Sequence, residues 1–291
     1  MLYPVAYCTE NEEVCNLTIG EGEINAAASM MALVLSSSFD FRRTYWMFAG
    51  IAGVSPKHGT VGSVALAKYA IQVGLQYEID SRDLPESWPS GYIPYGQQYP
   101  FLYPRVTYGT EVFELNENLR DLAARIGSKA PIVDSDTPRQ YRAQYGPDYP
   151  NAIKLPGVLS CDVATSDVYF SGKRLSEAFD NTASIWTNGS GIYCMSAQEE
   201  NATLEIMVRG AIEGLVDFAR VLVMRGGEFI HSYLLHPTFA GPGTRYLNLK
   251  PCLKRLLRVL ITICSSLTAV QIRFQFRSST TWNVRLGTSR T

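Results

Sequence analysis

Two carboxylates stand side by side at Glu199 and Glu200, in the run Gln-Glu-Glu-Asn. A carboxylate accepts paired hydrogen bonds from hydroxyls and favours a cationic partner. Two acids opening a helix also suit its dipole with no further duty. Glu228 follows Met-Arg-Gly-Gly. A carboxyl whose pKa is raised by burial can donate a proton, but at the junction with a compositionally different tail Glu228 could equally be a chance residue. Gly20 and Gly22 precede an Ala-rich segment, where a tight turn exposes backbone N–H groups to an anion. Asn25 either orients a nearby loop or is an early helical residue. Gly50-Ile-Ala-Gly53 ends an aromatic and apolar run and reads as a tight loop delivered by a buried strand. Thr165, Ser166 and Asp167 follow a predicted strand and either meet a ligand edge or cap a helix. Tyr169 and Phe170 either stack on a flat ring or join the core. Arg225 either meets an anion or ends a strand.

Some chemistries are disfavoured. His58, His231 and His236 are too scattered for a metal site, and neither Cys-x-x-Cys nor His-Glu-x-x-His occurs. No Gly-x-Ser-x-Gly frames a serine nucleophile. Cys8 and Cys15 lie seven apart in a polar segment, and Cys161 and Cys194 each fall in a predicted strand. Two such pairs could close two disulfides, or the four could be buried free thiols. Asn16-Leu-Thr, Asn188-Gly-Ser and Asn201-Ala-Thr are glycan acceptor sequons, although Asn201 falls in a predicted helix, a poor place for a glycan. Oxidised cysteines imply a secreted, vacuolar or cell-surface setting with a signal peptide upstream of Met1; otherwise the chain is cytoplasmic.

The elements that must position these groups alternate. Helices are expected over 24–35, 116–126 (with Asn116 as N-cap), 139–145, Lys173–Trp186 and 198–212. Strands are expected over 45–53, 157–165, 191–196 and 218–224, with β-type patterning over 61–79. Residues 84–108, rich in Pro, Gly and Tyr, form a long irregular loop of the kind used as a lid or binding loop. This order predicts an α/β sheet with crossover helices.

At 291 residues the chain suffices for one large α/β domain or two small ones. Hydrophobic residues make up 46% and charged residues 18%, which excludes wholesale disorder. The net charge of −1 hides a split: all 27 acidic residues lie at or before Glu228, and nine of the 26 basic residues follow it. Residues 1–228 therefore carry a net −10 and residues 229–291 a net +9. Within the tail, a basic-faced helix over 252–263 and a strand over 270–277 are expected, and 278–291 looks uncommitted. An acid-free tail reads as nucleic-acid or anionic-lipid binding, or as a reading-frame or splice error. The second is preferred, because its Lys and Arg are sparse and interleaved with Leu, Ile and Phe. The charge-free apolar run over 259–272 is shorter than the roughly 18–20 residues of a spanning helix.

Four ordered blocks carry a resemblance: GEGEINAAASMMALVLSS, AGIAGVSPKHGTVGSV, CDVATSDVYFSG and NGSGIYCMSAQEENATLE. Together they resemble the fungal purine nucleoside permease family, itself similar to the nucleoside phosphorylase superfamily. The resemblance spans about residues 1–228. It implies a three-layer α/β/α sandwich around a mixed, partly barrel-like sheet. The superfamily's first strand, expected before Tyr3, is missing, so residues 1–228 read as an N-terminally truncated domain and 229–291 as a basic tail arising from a gene-model artefact. After Met224-Arg225 the family pattern is a Thr-Ala-Ser-Asp-Phe-Asp-like run, whereas this chain reads Gly-Gly-Glu228-Phe-Ile-His.

The resemblance also implies a function: recognition of a purine nucleoside, with N-glycosidic cleavage by hydrolysis or phosphorolysis. Glu199 takes the place of the ribose-binding glutamate and Glu228 that of the acid protonating the purine. Gly22, Asn25, Gly50, Gly53, Thr165, Asp167 and Glu200 fall at the substrate. No cofactor is implied beyond phosphate as a co-substrate. Superfamily loops often place a hydroxyl where this chain has Ile51 and Ala52, which leans away from phosphorolysis. A homo-oligomer is expected by analogy, and no nucleic acid. The alternatives are a non-catalytic nucleoside-binding protein assisting transport, and an inactive truncated member.

Overall fold

The computed structural model describes residues 5–10, 14–230 and 283–286. The chain opens with a hairpin of β1 (Val5–Cys8) and β2 (Cys15–Leu17), closed by a Cys8–Cys15 disulfide. Helix α1 (Glu23–Val34) buries Ala26, Ser29, Met30, Leu33 and Val34, a stripe at helical spacing. Five strands follow: β3 (Trp46–Val54), β4 (Val64–Ala67), β5 (Tyr69–Gln72), β6 (Gln76–Glu78) and β7 (Tyr92–Pro94). Next come β8 (Val112–Glu114), α2 (Glu117–Gly127), α3 (Asp136–Ala143), β9 (Val158–Ser160) and β10 (Asp162–Thr165). The chain then runs through α4 (Lys173–Trp186), β11 (Tyr193–Ala197), α5 (Glu200–Ile212) and β12 (Val221–Ile230). A last strand, β13 (Asn283–Leu286), lies parallel to β1.

Among the described residues, eight strands form one mixed sheet in the order β8-β5-β10-β11-β3-β12-β4-β9. Strand β12 lies between β3, parallel to it, and β4, antiparallel to it. Its side chains alternate: Val221 and Val223 pack with Met30, Leu33, Leu204 and Met207 of α1 and α5, whereas Leu222 and Met224 pack with Leu119 and Ala123 of α2. Further along that second face, Phe179, Ala183 and Trp186 of α4 cover Tyr69, Ile71, Ala164 and Tyr193. Helices therefore cover both faces, and the expected three-layer α/β/α arrangement is present. Asn116 caps α2 as expected, its Oδ1 accepting from the Leu119 N–H at 3.2 Å.

Several expectations are corrected. Gly50–Gly53 is not a turn; it lies inside β3 and pairs along β12. The stretch over 61–79 divides into three strands, and that over 157–165 into two. The helix expected over 139–145 sits earlier, as α3. Residues 218–220 form a 3-10 turn before β12, because the Asp217 carboxylate takes the Ala219 N–H. The loop over 84–108 carries β7, paired with β6. The 278–291 segment includes β13. The elements expected over 252–263 and 270–277, with His231 and His236, lie outside the described residues.

Candidate functional site

Parallel pairing sets Arg225 of β12 opposite Gly50 of β3. A Cβ at residue 50 would collide with the Arg225 guanidinium, so glycine here gives the side chain a path across its neighbour strand. Arg225 is 8% exposed, and its charge is matched in place. Nη2 donates to Glu199 Oε2 at 2.6 Å, Nε donates to Glu200 Oε1, and Nη1 donates to the Ile51 carbonyl at 2.9 Å. Burial works against the guanidinium charge, but Glu200 and Glu199 outweigh it and raise its pKa. Among the described residues three of its five N–H groups are thus used, leaving one on each Nη.

The glutamates differ in setting. Glu199 is the N-cap residue of α5, where an acid complements the helix dipole. Its Oε1 accepts the Gly22 N–H at 3.0 Å, so each oxygen holds one protein donor and retains acceptor capacity. Gly22 has φ 83°, a left-handed conformation that suits glycine and turns its N–H to this contact. Glu200 is fully buried, and burial raises its pKa against the opposing pull of Arg225. Its Oε2 has no hydrogen-bond partner among the described residues.

Around this triad lies a cleft. Strand β3 contributes Ile51, Ala52 and Gly53, the turn after β10 contributes Ser166 and Tyr169, and Gln198 follows β11. Arg225 lines it as well; Glu199 and Glu200 are held on its guanidinium, Glu199 with 12% of its side chain exposed and Glu200 with none. The Gly53 N–H donates to Ser196 Oγ at 3.0 Å, and Gln198 Nε2 donates to the Asp167 carbonyl at 3.2 Å, fixing the rim. Beside it, Glu23 Oε1 accepts from Gln72 Nε2. Burial, then the charges of Asp167 and Glu199, push the Glu23 carboxyl up to about 7.

The sequence-predicted residues divide. Glu199, Gly22, Gly50 and Gly53 are brought together. Asp167 caps α1, not α4: its Oδ1 accepts the Glu23 N–H at 2.9 Å. Thr165 is fully buried and donates to Asn201 Oδ1 at 2.6 Å, which turns it away from the cleft. Asn25 donates to the Glu21 carbonyl at 2.8 Å and does not orient the 50–53 segment. Phe170, although at the cleft, packs into the core with Phe179. The backbone of Glu228 lies at a β-bulge between Gly227, opposite Ala52, and Phe229, opposite Gly53. Cys161 and Cys194 are joined by a disulfide at the roots of β10 and β11. The Asn201 amide is buried, donating to the Thr110 carbonyl at 2.7 Å, which removes it as a glycan acceptor. No residue of the 84–108 loop lines this cleft.

The central role of Arg225 and the proximity of Glu23 were missed in the sequence. Arg225 followed by two glycines was visible, but its partners lie 25 and 26 residues away. Among the described residues no cluster of His, Cys, Asp or Glu could hold a metal ion, and no helix is long and apolar enough to cross a membrane.

A profile of the family described as purine nucleoside permease (NUP) matches residues 1–233. A purine nucleoside permease of Candida albicans is 47% identical over 228 residues, covering 77% of this chain and 56% of that protein. A probable purine nucleoside permease of Schizosaccharomyces pombe is 36% identical over 235 residues, covering 78% and 67%. The chain thus spans little more than half the length of the Candida relative. Among solved structures, a 5′-methylthioadenosine/S-adenosylhomocysteine nucleosidase of Colwellia psychrerythraea in complex with adenine superposes with a TM-score of 0.49 at 14% identity, covering 87% of this chain and 78% of that one. Native futalosine hydrolase of Helicobacter pylori gives a TM-score of 0.49 at 13% identity, covering 90% and 83%.

Proposed function

The chain belongs to the purine nucleoside permease family, and on that premise we propose that the cleft over β3 and β12 binds a purine nucleoside. The observation that carries this reading is the Glu199–Arg225 pair, a cleft-lining guanidinium held at 2.6 Å on a carboxylate with acceptor capacity to spare. Ribose presents adjacent hydroxyls that both donate and accept. Glu199 accepts from them, and the two unused N–H groups of Arg225 donate to them. Tyr169, 73% exposed at the cleft, offers an aromatic surface to the base.

Equilibrium binding of inosine and adenosine tests this reading. Both are expected to bind saturably, and Glu199→Gln is expected to weaken binding about tenfold or more, the loss of a charged hydrogen-bond acceptor. Absence of binding by either nucleoside up to about 1 mM defeats the reading.

A second reading adds N-glycosidic cleavage. It is favoured by the bulge that sets the Glu228 backbone beside Ala52 and Gly53, since bulges are over-represented next to active sites. In hydrolysis the C1′–N9 bond breaks, its electron pair goes to the purine, an acid protonates the base, and water adds to C1′ and gives up a proton. Glu228 is assigned the acid, and Glu199 favours the cationic sugar. Incubating inosine or adenosine with the protein, with and without phosphate, separates the outcomes. Free base in both conditions is hydrolysis, base in phosphate alone is phosphorolysis, and saturable binding with no release leaves the protein a binder.

A further inference from the structure

We propose that Glu200 is a specificity-determining residue, whose buried charge offsets Arg225 so that the cleft admits uncharged nucleosides and rejects ligands bearing phosphate. This rests on the reading of the cleft as a nucleoside site. A guanidinium lining a cleft is ordinarily an invitation to phosphate. Here it is accompanied by two carboxylates, Glu199 at 2.6 Å on Nη2 and Glu200 on Nε, so the triad carries more negative than positive charge. Glu200 is fully buried, and its second oxygen has no hydrogen-bond partner among the described residues, so its charge is spent on Arg225. Asp167 lies beside the same rim, and Ile51 and Ala52 add no hydroxyl with which to hold a phosphate oxygen. A dianionic group entering the cleft therefore meets excess like charge. Specificity of this kind is built by repulsion as much as by attraction.

Affinities for inosine and inosine 5′-monophosphate, measured on the full chain and on Glu200→Gln and Glu200→Asp, test it. The native protein is expected to prefer inosine at least about tenfold. Glu200→Gln, of the same shape but without charge, is expected to narrow that preference to about threefold or less, and Glu200→Asp to keep most of it. Equal affinity of the native protein for the two ligands overturns the inference with no variant needed, and so does a preference unchanged by Glu200→Gln. In both cases nucleoside binding itself still stands. If neither inosine nor adenosine binds, the nucleoside reading fails and takes this inference with it.

Discussion

At the scale of single residues, the site is governed by how few cations face its carboxylates. Among the described residues Glu199 and Glu200 share the single cation Arg225, and the charges of Asp167 and Glu199 both act on Glu23. The Glu23 carboxyl, ordinarily at 4.5, is pushed to about 7 by burial first and by those neighbours second. The folded protein therefore holds a proton on Glu23 that the unfolded chain gives up between these values. Its contribution to stability is fullest below the unfolded value and falls as pH rises through about 7. Glu23→Gln mimics the protonated form, so the variant is expected to gain stability over the native protein at about pH 8 and to match it near pH 4.5. Denaturant midpoints across that range report the difference, and parallel curves for the two proteins would refute the assignment.

At the scale of elements, the cleft depends on two neighbouring strands, β10 and β11, whose ends deliver Ser166 and Gln198. The Cys161–Cys194 bridge ties their opposite ends across 33 residues of sequence. In the chain-entropy account a loop of that length contributes about 3–4 kcal/mol. The double variant Cys161→Ala/Cys194→Ala is expected to lower the urea midpoint accordingly, and to weaken nucleoside binding by loosening the cleft rim. A midpoint equal to that of the native protein would show that the bridge adds nothing. Elements with local signals were legible in the sequence. Helix α4 runs over Lys173–Trp186 as expected, its apolar periodicity bounded by glycine, and α2 begins at the Asn116 cap. Segment 50–53 was misread because glycine inside an apolar run usually signals a turn. Its reason here is residue 225 on a distant strand, which no local pattern records. Glu199 was legible through the family resemblance. Its partner Arg225 was legible as a residue type, while its role came only with three-dimensional register. Asp167 and Thr165 sit where a ligand contact was expected, but the N-terminus of α1 and the Asn201 amide claimed them first.

At the scale of the whole molecule, the described sheet joins residues far apart in the chain, and its order differs from its synthesis. Strands β3 and β4 are close in sequence but are not neighbours: β12, more than 150 residues later, separates them and carries Arg225. Long-range parallel pairing of this type is slow to form, because loop closure must be bought before the contacts reward it. A chain ending at residue 220 is expected to lack the cleft and to give neither cooperative unfolding nor nucleoside binding. Cooperative melting of that fragment with bound inosine would contradict the picture. The interposed strand also has a consequence for the ribosome. As the nascent chain emerges, the slot between β3 and β4 stays vacant until β12, more than 150 residues after β4, has been made. Until then two apolar edges lie open to one another and to other chains, so this protein has reason to lean on chaperones during translation.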